Sequence, residues 1–102
     1  IKKNSGLDIL VEGQGNPISI MDGIVELIEE KGNKGQFVTV VSNDLKVVYG
    51  YLAKSFVTKG QSLEVGDEIG QVGINKDGSK YLRLEIYKDE KVVDPLKYIE
   101  LQ

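Results

Sequence analysis

Cysteine and histidine are both missing from the 102 residues, and the second absence excludes more chemistry than the first. Without cysteine there is no disulfide, no thiolate nucleophile and no thiolate metal site. Without histidine there is no side chain that ordinarily exchanges a proton near neutral pH, and the commonest nitrogen ligand for zinc is gone. A histidine-based catalytic triad, a zincin site and a phosphohistidine carrier fall together. Tryptophan is absent and proline occurs only twice. No stretch approaches the ~20 apolar residues of a membrane helix, and no signal peptide opens the chain. Basic charge is in the minority, 13 Lys and Arg against 16 Asp and Glu for a net charge of −3. That balance argues against nucleic acid or an anionic membrane as the main partner, since both attract basic patches. The chain begins at Ile1 rather than Met, so it is expected to be a domain excised from a longer membrane-anchored or secreted protein.

What is present is glycine, twelve of them, spread between short apolar runs. That punctuation predicts many short strands and turns. The expected strands are Leu7–Val11, Pro17–Ile20, Ile24–Glu29, Phe37–Ser42, Lys46–Leu52, Ile69–Val72 and Tyr81–Tyr87. Turn signals fall at Gly13–Asn16, Lys31–Gly35, Ser42–Asp44 and Lys76–Ser79. A closing strand or turn is expected over Leu96–Leu101, after Asp94-Pro95. One segment is ambiguous, because Ile24, Leu27 and Ile28 also suit one face of a helix. The interval between the Asp22-Gly23 turn signal and Glu29 is short for a stable helix, so it reads as a strand. No linker divides the chain. The expectation is one all-β domain over residues 1–102, a single rolled antiparallel sheet.

Several motifs lead nowhere. Gly13-Gln14-Gly15 lacks the third glycine and following helix of a dinucleotide fingerprint. Asn75–Lys80 lacks calcium-loop spacing. Glu29-Glu30 and Asp89-Glu90 lie on opposite strand faces or in a turn, so they give no support to a glycosidase pair. Val57–Gly70 is similar to half of a lipoyl or biotinyl carrier domain, but no lysine has the neighbours such a carrier modifies. Turn requirements in a rolled sheet account for the shared glycines.

Four segments, in order, resemble the LytM-type or M23 (lysostaphin-like) zinc peptidase family. They are Gly6-Leu7-Asp8-Ile9 with Asn16-Pro17 and Asp22-Gly23; Phe37–Val41 leading to Tyr49-Gly50-Tyr51-Leu52; Lys59-Gly60-Gln61 with Val65–Gly70; and Tyr81–Ile86 with Val93–Leu96. The resemblance implies the family's β roll and its one-zinc cleavage of wall peptides, whose ligands come from His-x-x-x-Asp and a late His-x-His. A further histidine lies in a Tyr-x-His-Leu segment. Here those motifs become Asn4–Asp8, Tyr81-Leu82-Arg83 and Tyr49–Leu52. Only Asp8 survives of the metal and proton-transfer set. One carboxylate beside an amide and a guanidinium cannot hold zinc, which needs about three protein ligands, so no zinc and no other cofactor is expected.

The resemblance therefore implies a catalytically inactive domain, extracytoplasmic and tethered upstream, serving protein–protein interaction in a bacterial envelope or sporulation complex. The alternative is a module that binds wall peptides or glycans without cleaving them. Former active-site positions that would form the binding surface are Asn4, Asp8, Tyr49, Tyr51, Tyr81, Arg83 and Glu85. Tyr81, Arg83 and Glu85 alternate with Leu82, Leu84 and Ile86, so they share one strand face. That face is either merely solvated or a remade active-site floor. The resemblance also implies that Asp8 and Arg83 meet where the ion would sit, with Tyr51 and Tyr81 beside them.

Overall fold

The computed structural model describes residues 6–13, 15–88 and 91–93. Its strands are β1 (Leu7–Leu10), β2 (Gly23–Glu30), β3 (Gln36–Ser42), β4 (Leu45–Ser55), β5 (Ser62–Leu63), β6 (Gly70–Val72), β7 (Tyr81–Lys88) and β8 (Lys91–Val93). They form one antiparallel sheet in the order β1-β7-β4-β3-β2-β5, with β6 paired to β4 and β8 to β7. The all-β expectation holds, and the helical content among the described residues is a three-residue 3-10 turn at Gly32–Lys34. The proposed closing segment Leu96–Leu101, like Asn4, lies outside the described residues.

The core follows from strand alternation. Val38 and Val40 of β3, Val47 and Tyr49 of β4, and Leu84 and Ile86 of β7 point to one side and form a single buried cluster. The chain rolls back over that side, where Val57, Leu63, Ile69 and Val72 complete the cluster. Its returning loops are stitched by Ser19 N–H to Asp67 C=O (2.8 Å) and Ile69 N–H to Pro17 C=O (2.9 Å).

Two expectations need correction. Pro17–Ile20 is not a strand: it makes one isolated bridge, Ile18 to Glu68. Pro17 has no N–H to donate to a ladder, and the Ser19 hydroxyl donates to the Met21 carbonyl at 2.6 Å, bending the chain at once. The short strands β5 and β8 were not expected, because two or three residues carry no legible alternation. By contrast β2 is the strand foreseen over Ile24–Glu29. Its helix-like spacing has a cause: Val25 pairs with Val40 and Leu27 with Thr39, leaving Glu26 as an extra residue in a bulge. The bulge turns Val25 and Ile28 inward and leaves Ile24 and Leu27 exposed, so each face carries a three-residue spacing that imitates a helical period.

β4 positions the site. Along one edge it pairs with β7 from Leu45 to Gly50, then with β6 from Leu52 to Ser55. The sheet forks at Gly50-Tyr51. On the opposite edge the same two residues face the single residue Phe37 of β3, between the pairs Val38–Tyr49 and Gln36–Leu52.

Candidate functional site

The fork opens an outward groove of about 640 Å³ lined by Asp8, the Gly32–Gly35 turn, Tyr51–Ala53, Gly73–Asn75 and Tyr81. Gly35 holds the turn against β4. Its φ is +82°, and a Cβ there would lie 2.5 Å from the Leu52 carbonyl oxygen, so only glycine fits.

Tyr51 has φ of 65°. Among the described residues the one other non-glycine with positive φ is Asn43 at 56°, in the β3–β4 hairpin, where asparagine tolerates that region. Tyr51 has no such local reason, being bulky and inside a strand. Tertiary contacts hold it there. Gly73 N–H donates to its carbonyl at 2.9 Å, and its ring meets the Phe37 ring edge-on, centroids 5.8 Å apart at 89°. Lys31 Nζ lies 4.4 Å from the centre of the Phe37 ring. Glycine in a strand ordinarily weakens it relative to alanine. At this position the order should invert, with Tyr51→Gly more stable than Tyr51→Ala by about 1 kcal/mol. Urea unfolding of the two variants checks this, and alanine proving the equal of glycine would mean the backbone relaxes freely.

Beside Tyr51 lies a chain of charged groups. Asp8 of β1 and Arg83 of β7 are direct cross-strand partners, and Arg83 Nη1 donates to Asp8 Oδ1 at 3.0 Å. Arg83 Nε donates to Glu85 Oε2 at 3.2 Å, and the Tyr87 hydroxyl donates to Glu85 Oε1 at 2.8 Å. Burial depresses the guanidinium pKa, but hydrogen bonds to Asp8 and Glu85 and their charges outweigh it, so the net shift is upward. Burial, then the Glu85 hydrogen bond and charge, push the Tyr87 phenol up as well. The expected meeting of Asp8 and Arg83 is thus found, in a more open setting than a buried metal pocket. The Asp8 side chain is 47% exposed, against 22% for Arg83.

Of the seven positions read from sequence, the structure brings Asp8, Tyr51, Tyr81, Arg83 and Glu85 to one side of the sheet. Tyr49 is a correction. It is fully buried, and its hydroxyl accepts the Ile20 N–H at 3.1 Å, so it belongs to the core and presents nothing to a partner. Its place in the set comes from the family's Tyr-x-His-Leu segment, and the bulge at Gly50-Tyr51 puts it on the opposite face from Tyr51. Sequence reasoning missed the Gly32–Gly35 wall and Ile74, which is 71% exposed at the groove; neither carries a motif.

A zinc ion does not fit this donor set. Among the described residues no three His, Cys, Asp or Glu side chains converge. The carboxylate at the implied ligand position already accepts from a fixed cation.

Comparison with known proteins agrees with this fold. Residues 2–95 match Peptidase family M23. A Pseudomonas aeruginosa protein described as a lipoprotein NlpD/LppB homolog is 32% identical over 100 residues, 94% of this chain and 33% of that protein. The chain therefore spans about a third of that relative's length. Helicobacter pylori Csd3 superposes with a TM-score of 0.82 at 25% identity, over 99% of this chain and 28% of that one. A chain of the SpoIIQ–SpoIIIAH pore-forming complex gives a TM-score of 0.70 at 28% identity, over 78% of this chain and 53% of that one.

Proposed function

The chain belongs to peptidase family M23, and on that premise we propose that it is a catalytically inactive member whose groove face binds another protein of the bacterial envelope. The observation that carries this reading is the Arg83 guanidinium on Asp8, at the position where the family resemblance puts a metal ion. A hydrolytic site of this kind needs a metal-activated water and a proton carrier. The chain has no histidine to bind the one or act as the other. What remains is a shaped groove with a Tyr51 ring held in a strained backbone and a partly exposed Tyr81. Tyrosine and arginine are favoured anchors in protein interfaces.

Two relatives support the setting. The match to a lipoprotein favours an extracytoplasmic domain tethered by a segment outside residues 1–102. The match to a chain of the SpoIIQ–SpoIIIAH pore-forming complex favours a protein partner. A second reading, a module that holds wall peptides or glycans without cleaving them, draws on the tyrosines at the groove, which can stack on sugars or pack on peptides.

Purified peptidoglycan incubated with the domain, with and without added zinc, should yield no new amine groups over many hours. Release of peptide fragments in step with zinc would overturn the inactive reading. Calorimetry with soluble wall fragments separates the two binding readings. Saturable uptake favours the wall module, and absence of heat favours a protein partner.

A further inference from the structure

We infer that Arg83 is a resident cation, fixed in the chain, that ties edge strand β1 to β7 in place of an ion and makes the geometry of the groove indifferent to zinc. It rests on the same Asp8–Arg83 pair as the proposed function, but the tie would hold whatever binds the groove.

The site is built for this tie on both sides. Its guanidinium takes Asp8 through Nη1 and Glu85 through Nε, a forked arrangement that a lysine point charge cannot reproduce. Glu85 is itself fixed by the Tyr87 hydroxyl, so a hydrogen-bonded row runs from Asp8 to Tyr87 across two strands. The backbone leaves room for it. A Cβ on Gly6 would come within 2.7 Å of Glu85 Cγ and 2.9 Å of Arg83 Nε, so the chain entering β1 passes against the row only because residue 6 has no side chain. Charge balance points the same way. Among the described residues two carboxylates converge on this guanidinium, and removing it would leave their like charges without the cation they share.

The consequence falls on β1. It is four residues long and among the described residues pairs with β7 alone, and a short strand with one partner opens locally more readily than the sheet centre. The side-chain tie from Asp8 adds to its few ladder bonds. The positioning role of Arg83 is therefore to keep β1, and with it one wall of the groove, in place.

Hydrogen exchange on the 102-residue chain tests this. In Arg83→Ala the amides of Leu7–Leu10 should exchange about tenfold faster, in line with loss of a charge-assisted hydrogen bond, while those of Val38–Val40 should not change. Zinc or calcium chloride added at millimolar level should slow β1 exchange again in Arg83→Ala, by occupying the space between the freed carboxylates. It should do nothing to the wild type or to the Asp8→Ala/Arg83→Ala double variant. Arg83→Lys, the milder change, should fall between wild type and Arg83→Ala, and it serves if the alanine variant does not fold. Unchanged β1 exchange in both single variants would overturn the inference, as would a cation effect on Arg83→Ala that is absent or is matched in the wild type and the double variant. A wall-binding or partner-binding result of either kind would leave these outcomes unaffected.

Discussion

Tyr49→Ala should destabilise the domain by about 3–5 kcal/mol, as expected for emptying an aromatic site in a close-packed core. Tyr49 is the largest fully buried side chain of the described residues, standing between β3 and β7 on the central strand. Burial also pushes its phenol pKa above the ordinary value, against the Ile20 N–H and the neighbouring Ser19 hydroxyl, which lower it. Tyr49→Phe separates packing from polarity. It keeps the ring but strands the Ile20 N–H, at about 1–3 kcal/mol. Urea titrations of both variants give the two numbers. An alanine variant within 1 kcal/mol of wild type would contradict the burial described for this ring.

The second large effect is expected at Gly50, through overpacking rather than a cavity. A Cβ at residue 50 would lie 2.4 Å from Phe37 Cε2 and 2.6 Å from Cδ2. Phe37 is only 4% exposed, so its ring has nowhere to swing without displacing Tyr51. Gly50→Ala should cost about 1–3 kcal/mol and alter the aromatic near-ultraviolet circular dichroism, because the Phe37–Tyr51 pair must part. Gly73→Ala is the control, since a Cβ there meets nothing closer than 3.7 Å. Equal stability of the two variants would mean that Phe37 is not fixed as described.

Where the sequence could be read and where it could not follows from what kind of information each feature carries. Period-two alternation in Tyr81–Tyr87 and the apolar run Phe37–Ser42 are local signals, and both became strands with nearly the expected bounds. The Asp8–Arg83 meeting was legible because the family resemblance puts both at one point, and the antiparallel register of β1 and β7 delivers them there. The bulges were not legible. An extra residue at Glu26 or at Gly50-Tyr51 is decided by what packs across the sheet, and no local pattern announces it. The family motif carries Tyr49 and Tyr51 together, and only the bulge shows that one faces the core and the other the groove. The openness of Asp8 was hidden for a similar reason, since it depends on how far β1 sits at the sheet edge.

The alternation along β7 has a consequence for how such a domain changes over generations. Leu84 and Ile86 are buried in the core, while Arg83 and Glu85, their immediate neighbours, lie on the opposite face beside Asp8. Selection on stability and selection on chemistry therefore act on interleaved positions that do not touch one another through the sheet. Substitutions at residues 8, 81 and 83 can remake the outer face while the packed contacts of Leu84 and Ile86 beneath it are preserved, so the core imposes little penalty on change there. The guanidinium row is the exception, since its members hold one another and would have to change as a unit before a cation could take the place of Arg83.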